Sequence, residues 1–116
     1  MVRGQVDLAA IRQRLEAELE ELQESSEHSE EARRPVTVDQ PSVGRLSRMD
    51  ALQEQAMAMA TEERRQQRRQ RIGAALERME RGEYGECVRC GEDIAPKRLD
   101  LDPSVPTCLT CAGAAE

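Results

Sequence analysis

No tryptophan and no phenylalanine occur in this chain of 116 residues, and Tyr84 is its one aromatic side chain. The large rings that usually dominate a core are therefore missing. Mean hydropathy is low, −0.73, and 34% of the residues are charged. Such a composition disfavours a wide globular core, which leaves disorder, paired helices or a bound metal. No apolar stretch approaches the ~18 residues of a membrane span. The opening segment, MVRGQVDLAAIRQ, lacks the apolar heart of a secretion signal, so a soluble, cytoplasmic protein is expected. The parts of an enzyme are also missing. There is one histidine, His28, in a polar run, and no phosphate-binding loop, so no catalytic residues are expected.

Charge is present in quantity but unevenly placed. The net charge is −6. Residues 1–41 hold five basic and ten acidic side chains, residues 42–82 nine and six, and residues 83–116 three and seven. An acidic chain is poorly suited to general nucleic-acid binding, which depends on neutralising phosphates.

Residues 8–33 read as a helix. Leu8, Ile11, Leu15, Leu19 and Leu22 form one helical stripe, with Asp7 placed to cap it and Val6 placed to staple onto Ile11. Eight glutamates and no Lys or Arg fall between Glu16 and Glu31. This is read first as a solvated face and second as a face for a partner. The stripe fades after Leu22, so fraying is expected there. Pro35 and Pro41 then disfavour helix at Arg34 and Gln40, giving a turn near 34–41. Residues 42–81 read as a second, longer helix, with Val43, Leu46, Met49, Met57 and Ala60 as apolar positions and Gly82 as its stop.

At ~1.5 Å per residue the two helices would be about 39 Å and roughly 60 Å long. Folded back at 34–41, the first would cover the second to about residue 67. Leu22 would then lie near Leu52 and Gln53, and Leu15 near Ala60 and Thr61. The glutamates of the first helix would fall toward Arg64, Arg65, Arg68, Arg69 and Arg71. These arginines read either as half of a charged seam or as a face for an acidic partner. Ile72, Leu76 and Met79 would be left to pack on the segment that follows. The expected fold class is mainly α: a long antiparallel helical hairpin (coiled coil) over 1–82, then a small module over 83–116.

That module carries the specific chemistry. Cys87-x-x-Cys90 and Cys108-x-x-Cys111 are separated by 17 residues, the spacing of a four-cysteine zinc site. Gly91 follows Cys90, where a knuckle needs positive φ. A 34-residue module with so few aliphatics cannot support itself by burial, and a metal can supply the missing stability. Four thiolates leave no open position for water, so one structural Zn²⁺ is expected. Iron would call for aromatics around the metal, and a redox dithiol pair for a βαβ setting; neither is found here.

From Gly82 the chain reads GEYGECVRCGEDIAPKRLDLDPSVPTCLTC. This resembles the zinc finger of the DksA/TraR family through Gly82, Tyr84, Gly85, Cys87, Cys90, Gly91, Ile94, Arg98, Leu99, Cys108 and Cys111, with Pro103 or Pro106. A helical hairpin ahead of the finger is also the family plan. With only AGAAE after Cys111, the chain looks like the short, TraR-like members. The resemblance implies a regulator that binds RNA polymerase through its secondary channel rather than reading DNA; a monomer is expected. Acidic residues at the hairpin tip would approach the catalytic Mg²⁺. The family's tip pattern is D-x-x-D-x-A. Here the nearest stretch runs from Asp39 through Ser42 to Gly44, with Ser42 in place of the second acid, and Asp50-Ala51 echoes its end. The residues expected to touch a partner are Asp39, Ser42, Asp50, Arg64, Arg65, Arg68 and Arg69. A zinc-stabilised helical adaptor for some other protein is the alternative from residues alone, and a thiol or zinc sensor a third.

Overall fold

The computed structural model describes residues 7–35 and 45–114. The order is α1 (Leu8–His28), one 3-10 turn at Glu31–Arg33, α2 (Arg45–Glu80), and the short helices α3 (Pro96–Leu101) and α4 (Leu109–Ala114). The architecture is mainly helical, two long helices and then a small four-cysteine finger. Among the described residues the one extended pairing is an isolated antiparallel bridge between Glu86 and Asp93. No helix among them is long and apolar enough to cross a membrane.

Local chemistry sets the helix ends. The Asp7 carboxylate accepts from the Ala10 N–H at 3.2 Å, and the Ile11 N–H donates to the Asp7 carbonyl at 3.0 Å, so Asp7 caps α1. Val6, the expected staple, lies outside the described residues. At the far end of α2, Gly82 adopts φ +72°. The Gly82 N–H donates to Met79 at 3.2 Å and the Glu83 N–H to Arg78 at 2.8 Å, the paired bonds of a Schellman stop. The chain leaves α2 at that glycine and enters the finger.

Two features differ from the sequence reading. α1 ends at His28 rather than near 33. The fraying expected after Leu22 does not occur: the helix runs on to His28, where Ser26 and Ser29 are tied to Glu62 and Arg65, and only then does the chain tighten into the 3-10 turn. Arg34, before Pro35, is extended at φ −65° and ψ 146°. The register is the second correction. The expected fold-back at 34–41 would put Ser26 opposite residues 48–49; its hydroxyl instead donates to Glu62 at 3.0 Å. Leu15, expected beside Ala60, is fully buried in a unit whose part of α2 begins at Arg69. The expected register assumed a helix to 33 and a tight reversal. α1 stops at His28, and the contacts of Ser26 and Ser29 lie far along α2, at Glu62 and Arg65.

The chain forms two compact units. One comprises residues 21–68; the other comprises 1–20 and 69–116. In the second unit the buried apolar side chains are Ile11 and Leu15 of α1, Ile72, Ala75 and Met79 of α2, and Tyr84, Cys87, Ile94, Leu99 and Val105 of the finger. Ile72 and Met79 thus share a compact body with the finger, and with the start of α1 as well. Arg14 reaches the Asp100 carbonyl at 3.2 Å, and Arg71 pairs with Asp102 at 3.2 Å.

The unit of residues 21–68 is held differently, by polar groups. Glu62 is its hub. It accepts from Gln66 at 2.7 Å, from Ser26 at 3.0 Å, and from Arg33 and Arg65 at 3.2 Å each. The Gln66 amide holds this carboxyl below the usual glutamate range; burial opposes, and Ser26, Arg65 and Arg33 reinforce it. Gln55 donates to the Arg34 carbonyl at 2.7 Å and ties the departing chain to α2. Met49 and Met57, expected among the apolar contacts of the hairpin, are 59% and 67% exposed. The end of α1 meets α2 beyond them, at Glu62 and Arg65.

Candidate metal centre

The first knuckle is a short hairpin. The Cys87 N–H donates to Glu92 at 2.8 Å and the Ile94 N–H to Gly85 at 2.8 Å, flanking the Glu86–Asp93 bridge. The Gly91 N–H closes the turn on the Cys87 carbonyl at 2.9 Å. Gly91 sits at φ +77°, the left-handed conformation expected after Cys90 and costly for a residue with Cβ. The second knuckle is the first turn of α4. The Ala112 N–H donates to the Cys108 carbonyl at 3.0 Å, and the Cys111 N–H points at the Cys108 sulfur at 3.5 Å.

The two knuckles are tied by the intervening chain. The Val88 N–H donates to Pro106 at 2.9 Å, and Arg98, on α3, donates to the Thr107 carbonyl at 2.9 Å. Asp102 accepts from both the N–H and the hydroxyl of buried Ser104, at 3.1 and 2.8 Å. This fixes the turn that carries the chain back toward Cys108.

The four sulfurs of Cys87, Cys90, Cys108 and Cys111 lie within 4.8 Å of one another, and no disulfide joins them. Cys90 and Cys108 are 3.7 Å apart. A disulfide requires about 2.05 Å, whereas a zinc tetrahedron with ~2.3 Å bonds has edges of about 3.8 Å. The donor chemistry agrees with the spacing. Burial raises the Cys87 thiol, yet N–H groups from Cys108, Cys90 and Arg89 bring it down to about 6. Cys111, facing the sulfurs of Cys108, Cys87 and Cys90, is pushed up to about 12. One thiolate forms easily and further ones resist. A divalent cation resolves that conflict by neutralising the group as a whole. The four sulfurs suit one Zn²⁺ in a closed, structural site.

Residues 82–116 match the pattern that defines the prokaryotic DksA/TraR C4-type zinc finger. The finger of this chain is thus of the DksA/TraR C4 type. An uncharacterized protein of Aquifex aeolicus (strain VF5) is 47% identical over 45 residues, 39% of this chain and 31% of that protein. The RNA polymerase-binding transcription factor DksA of Haemophilus influenzae is 31% identical over 68 residues, 57% of this chain and 47% of that one. The chain thus spans less than half the length of these curated relatives. The structure of transcription factor DksA2 from Pseudomonas aeruginosa is similar with a TM-score of 0.73 at 25% identity, over 92% of this chain and 81% of that one. Both of these named relatives are transcription factors.

Asp39 and Ser42 lie outside the described residues. Asp50 is exposed on α2, and Arg64 is exposed with a bond to Thr61 at 3.2 Å. Arg65 is half-buried and engaged with Glu62 and Ser29, while Arg68 and Arg69 are half-buried. Sequence reasoning missed Glu62, Gln55 and Ser26 altogether. Nothing in their spacing distinguishes them from surface polar residues, because their role depends on the register.

Proposed function

We propose that this chain is a DksA/TraR-type regulator of transcription that binds RNA polymerase, with its helical pair entering the secondary channel and the zinc finger serving as a structural base. The similarity to DksA2 over 92% of the chain carries this reading, because it extends beyond the finger to both long helices. The acidic finger supports a protein partner over DNA, since a DNA-reading finger would be basic. Zinc in this account does no chemistry; it holds two knuckles that would otherwise lack a sufficient core.

The test is capture of core polymerase from the source organism by zinc-loaded protein, followed by transcription in vitro. Binding that is lost when a known secondary-channel factor is added in excess supports the reading. Capture of other proteins without polymerase would instead favour the helical adaptor. In this reading the hairpin tip would carry Asp39, which would meet the Mg²⁺ chemistry, and Ser42, which offers no charge. Asp39→Asn is expected to weaken the transcriptional effect while binding persists, and Ser42→Asp to strengthen it. If neither changes the output, Asp39 only caps a helix, a role that Asn fills equally well.

A further inference from the structure

Two guanidinium groups converge on one serine hydroxyl just beyond the end of α1. Ser29 Oγ accepts from Arg33 Nη1 at 2.6 Å and from Arg65 Nη1 at 3.0 Å. Both arginines also reach the same Glu62 oxygen, at 3.2 Å each. Their side chains are only 21% and 22% exposed. Among the described residues Glu62 is the one carboxylate in a bond or ion pair with either. Two positive charges therefore share one negative charge, and the acceptor where they meet is neutral.

We propose that Ser29 is a phosphoacceptor, and that a phosphoryl group on its Oγ is clamped by Arg33 and Arg65, fastening the end of α1 to α2. The phosphoryl group brings a charge of about −1.5 to −2 and three strong acceptor oxygens to the point where a cation is in excess. Planar guanidiniums suit such a group better than ammonium would. Ser29 lies half-buried in the turn that follows His28, so its hydroxyl is within reach of an enzyme once the turn opens.

Opposing effects are present and weaker. The C-terminal end of α1 disfavours an anion, and Glu27, Glu30 and Glu31 are near in sequence. Those three glutamates are exposed and screened by solvent. The arginines are mostly shielded and already at hydrogen-bonding distance. The chemistry requires a protein kinase and a nucleoside triphosphate. Ser29 Oγ attacks the γ-phosphorus, an O–P bond forms, and the bond to the β-phosphate oxygen breaks. The nucleoside diphosphate leaves with that electron pair, and the hydroxyl proton passes to the kinase base. The proposal does not depend on polymerase as the partner.

The experiment uses full-length, zinc-loaded protein carrying phosphoserine at position 29, titrated by ³¹P NMR. In the folded protein the proton affinity of the phosphate is expected to fall on the order of tenfold relative to the urea-unfolded chain. Arg33→Gln with Arg65→Gln should abolish most of that shift. Equal midpoints in the folded and unfolded chains would overturn the clamp. Ser29→Ala, tested alongside, should keep the wild-type fold by circular dichroism, which separates loss of the clamp from loss of structure. Mass spectrometry of the protein purified from its own cells under several growth states should find the phosphoryl increment on Ser29; its absence throughout overturns the modification. A final arm adds inorganic phosphate to unmodified protein. Saturable binding that shifts the Arg33 and Arg65 side-chain resonances would assign the cradle to a free anion and overturn the covalent reading.

Discussion

The Tyr84 hydroxyl donates to the Pro103 carbonyl at 2.8 Å, bridging the start of the finger and the turn that leads to its second knuckle. Tyr84 is 2% exposed. Burial pushes its hydroxyl up to about 12, against the pull of Arg78 and Arg14. As the one aromatic residue, it reports on the finger without interference. Its ultraviolet titration should therefore stay silent through the ordinary tyrosine value near 10. The sign follows from linkage: the folded value is raised, so this contribution is complete below pH ~10 and is lost as pH rises toward 12. Tyr84→Phe leaves the Pro103 carbonyl without that donor and should cost about 1 kcal/mol in a thermal melt.

Removing zinc should reach beyond the cysteines. Structural zinc contributes ~10–16 kcal/mol apparent in small fingers, more than this unit can replace by burial. Strong chelation, or Cys108→Ser, should disorder α3 and α4. It should also reduce helicity at the ends of α1 and α2 that share the unit, as seen by circular dichroism and amide exchange. Acid should act in the same direction, because the ligands must be thiolates and zinc leaves as they protonate. Freshly purified, reduced protein with no metal by elemental analysis would refute this account.

Leu15 is fully buried, as are Ile72 and Ala75 in the same unit. Leu15→Asp puts an unpaired charge there and removes the aliphatic volume. The expected loss is on the order of 3–5 kcal/mol. A melt that matches the wild type would show that α1 does not contribute to this core.

Glu62 supports four side chains, so its neutralisation should act locally. Glu62→Gln keeps the shape and loses the two ion pairs, at a cost of about 1 kcal/mol. Amide exchange over residues 26–33 should quicken while Leu15 stays protected. Because the folded carboxyl lies below its ordinary value, its contribution is present above that value and is lost as pH falls through the folded one. Exchange measured at descending pH checks the order of loss.

Features governed by neighbours in sequence were legible. Asp7 as a cap, Gly82 as a stop, Gly91 in the knuckle and the two cysteine pairs each rest on a local rule, and the structure has all of them. The register was not legible. Leu15 and Leu22 can slide along α2 with little loss of apolar contact, since that helix offers methionines and alanines at many positions. The charged stretch sets no single alignment either. What fixes it is the contacts of Ser26, Ser29 and Arg33 with Glu62 and Arg65, which are ordinary polar residues until the connection between the helices has a length. The finger's support by Tyr84 and Asp102 was hidden for a related reason: each acts on a backbone group many or few residues away, and spacing does not encode it.

The unit around the finger is built from two stretches far apart in the chain, residues 7–20 and 69–114. During synthesis the first stretch emerges long before its partners, and Ile11 and Leu15 have nothing to bury against until the cysteines have been made. The segment 21–68 has all its partners in hand much sooner. Assembly should therefore run from the middle of the chain outward, with metal capture as the closing event. A nascent chain arrested before Cys108 would expose the leucine stripe of α1, and zinc supply would set how quickly that exposure ends.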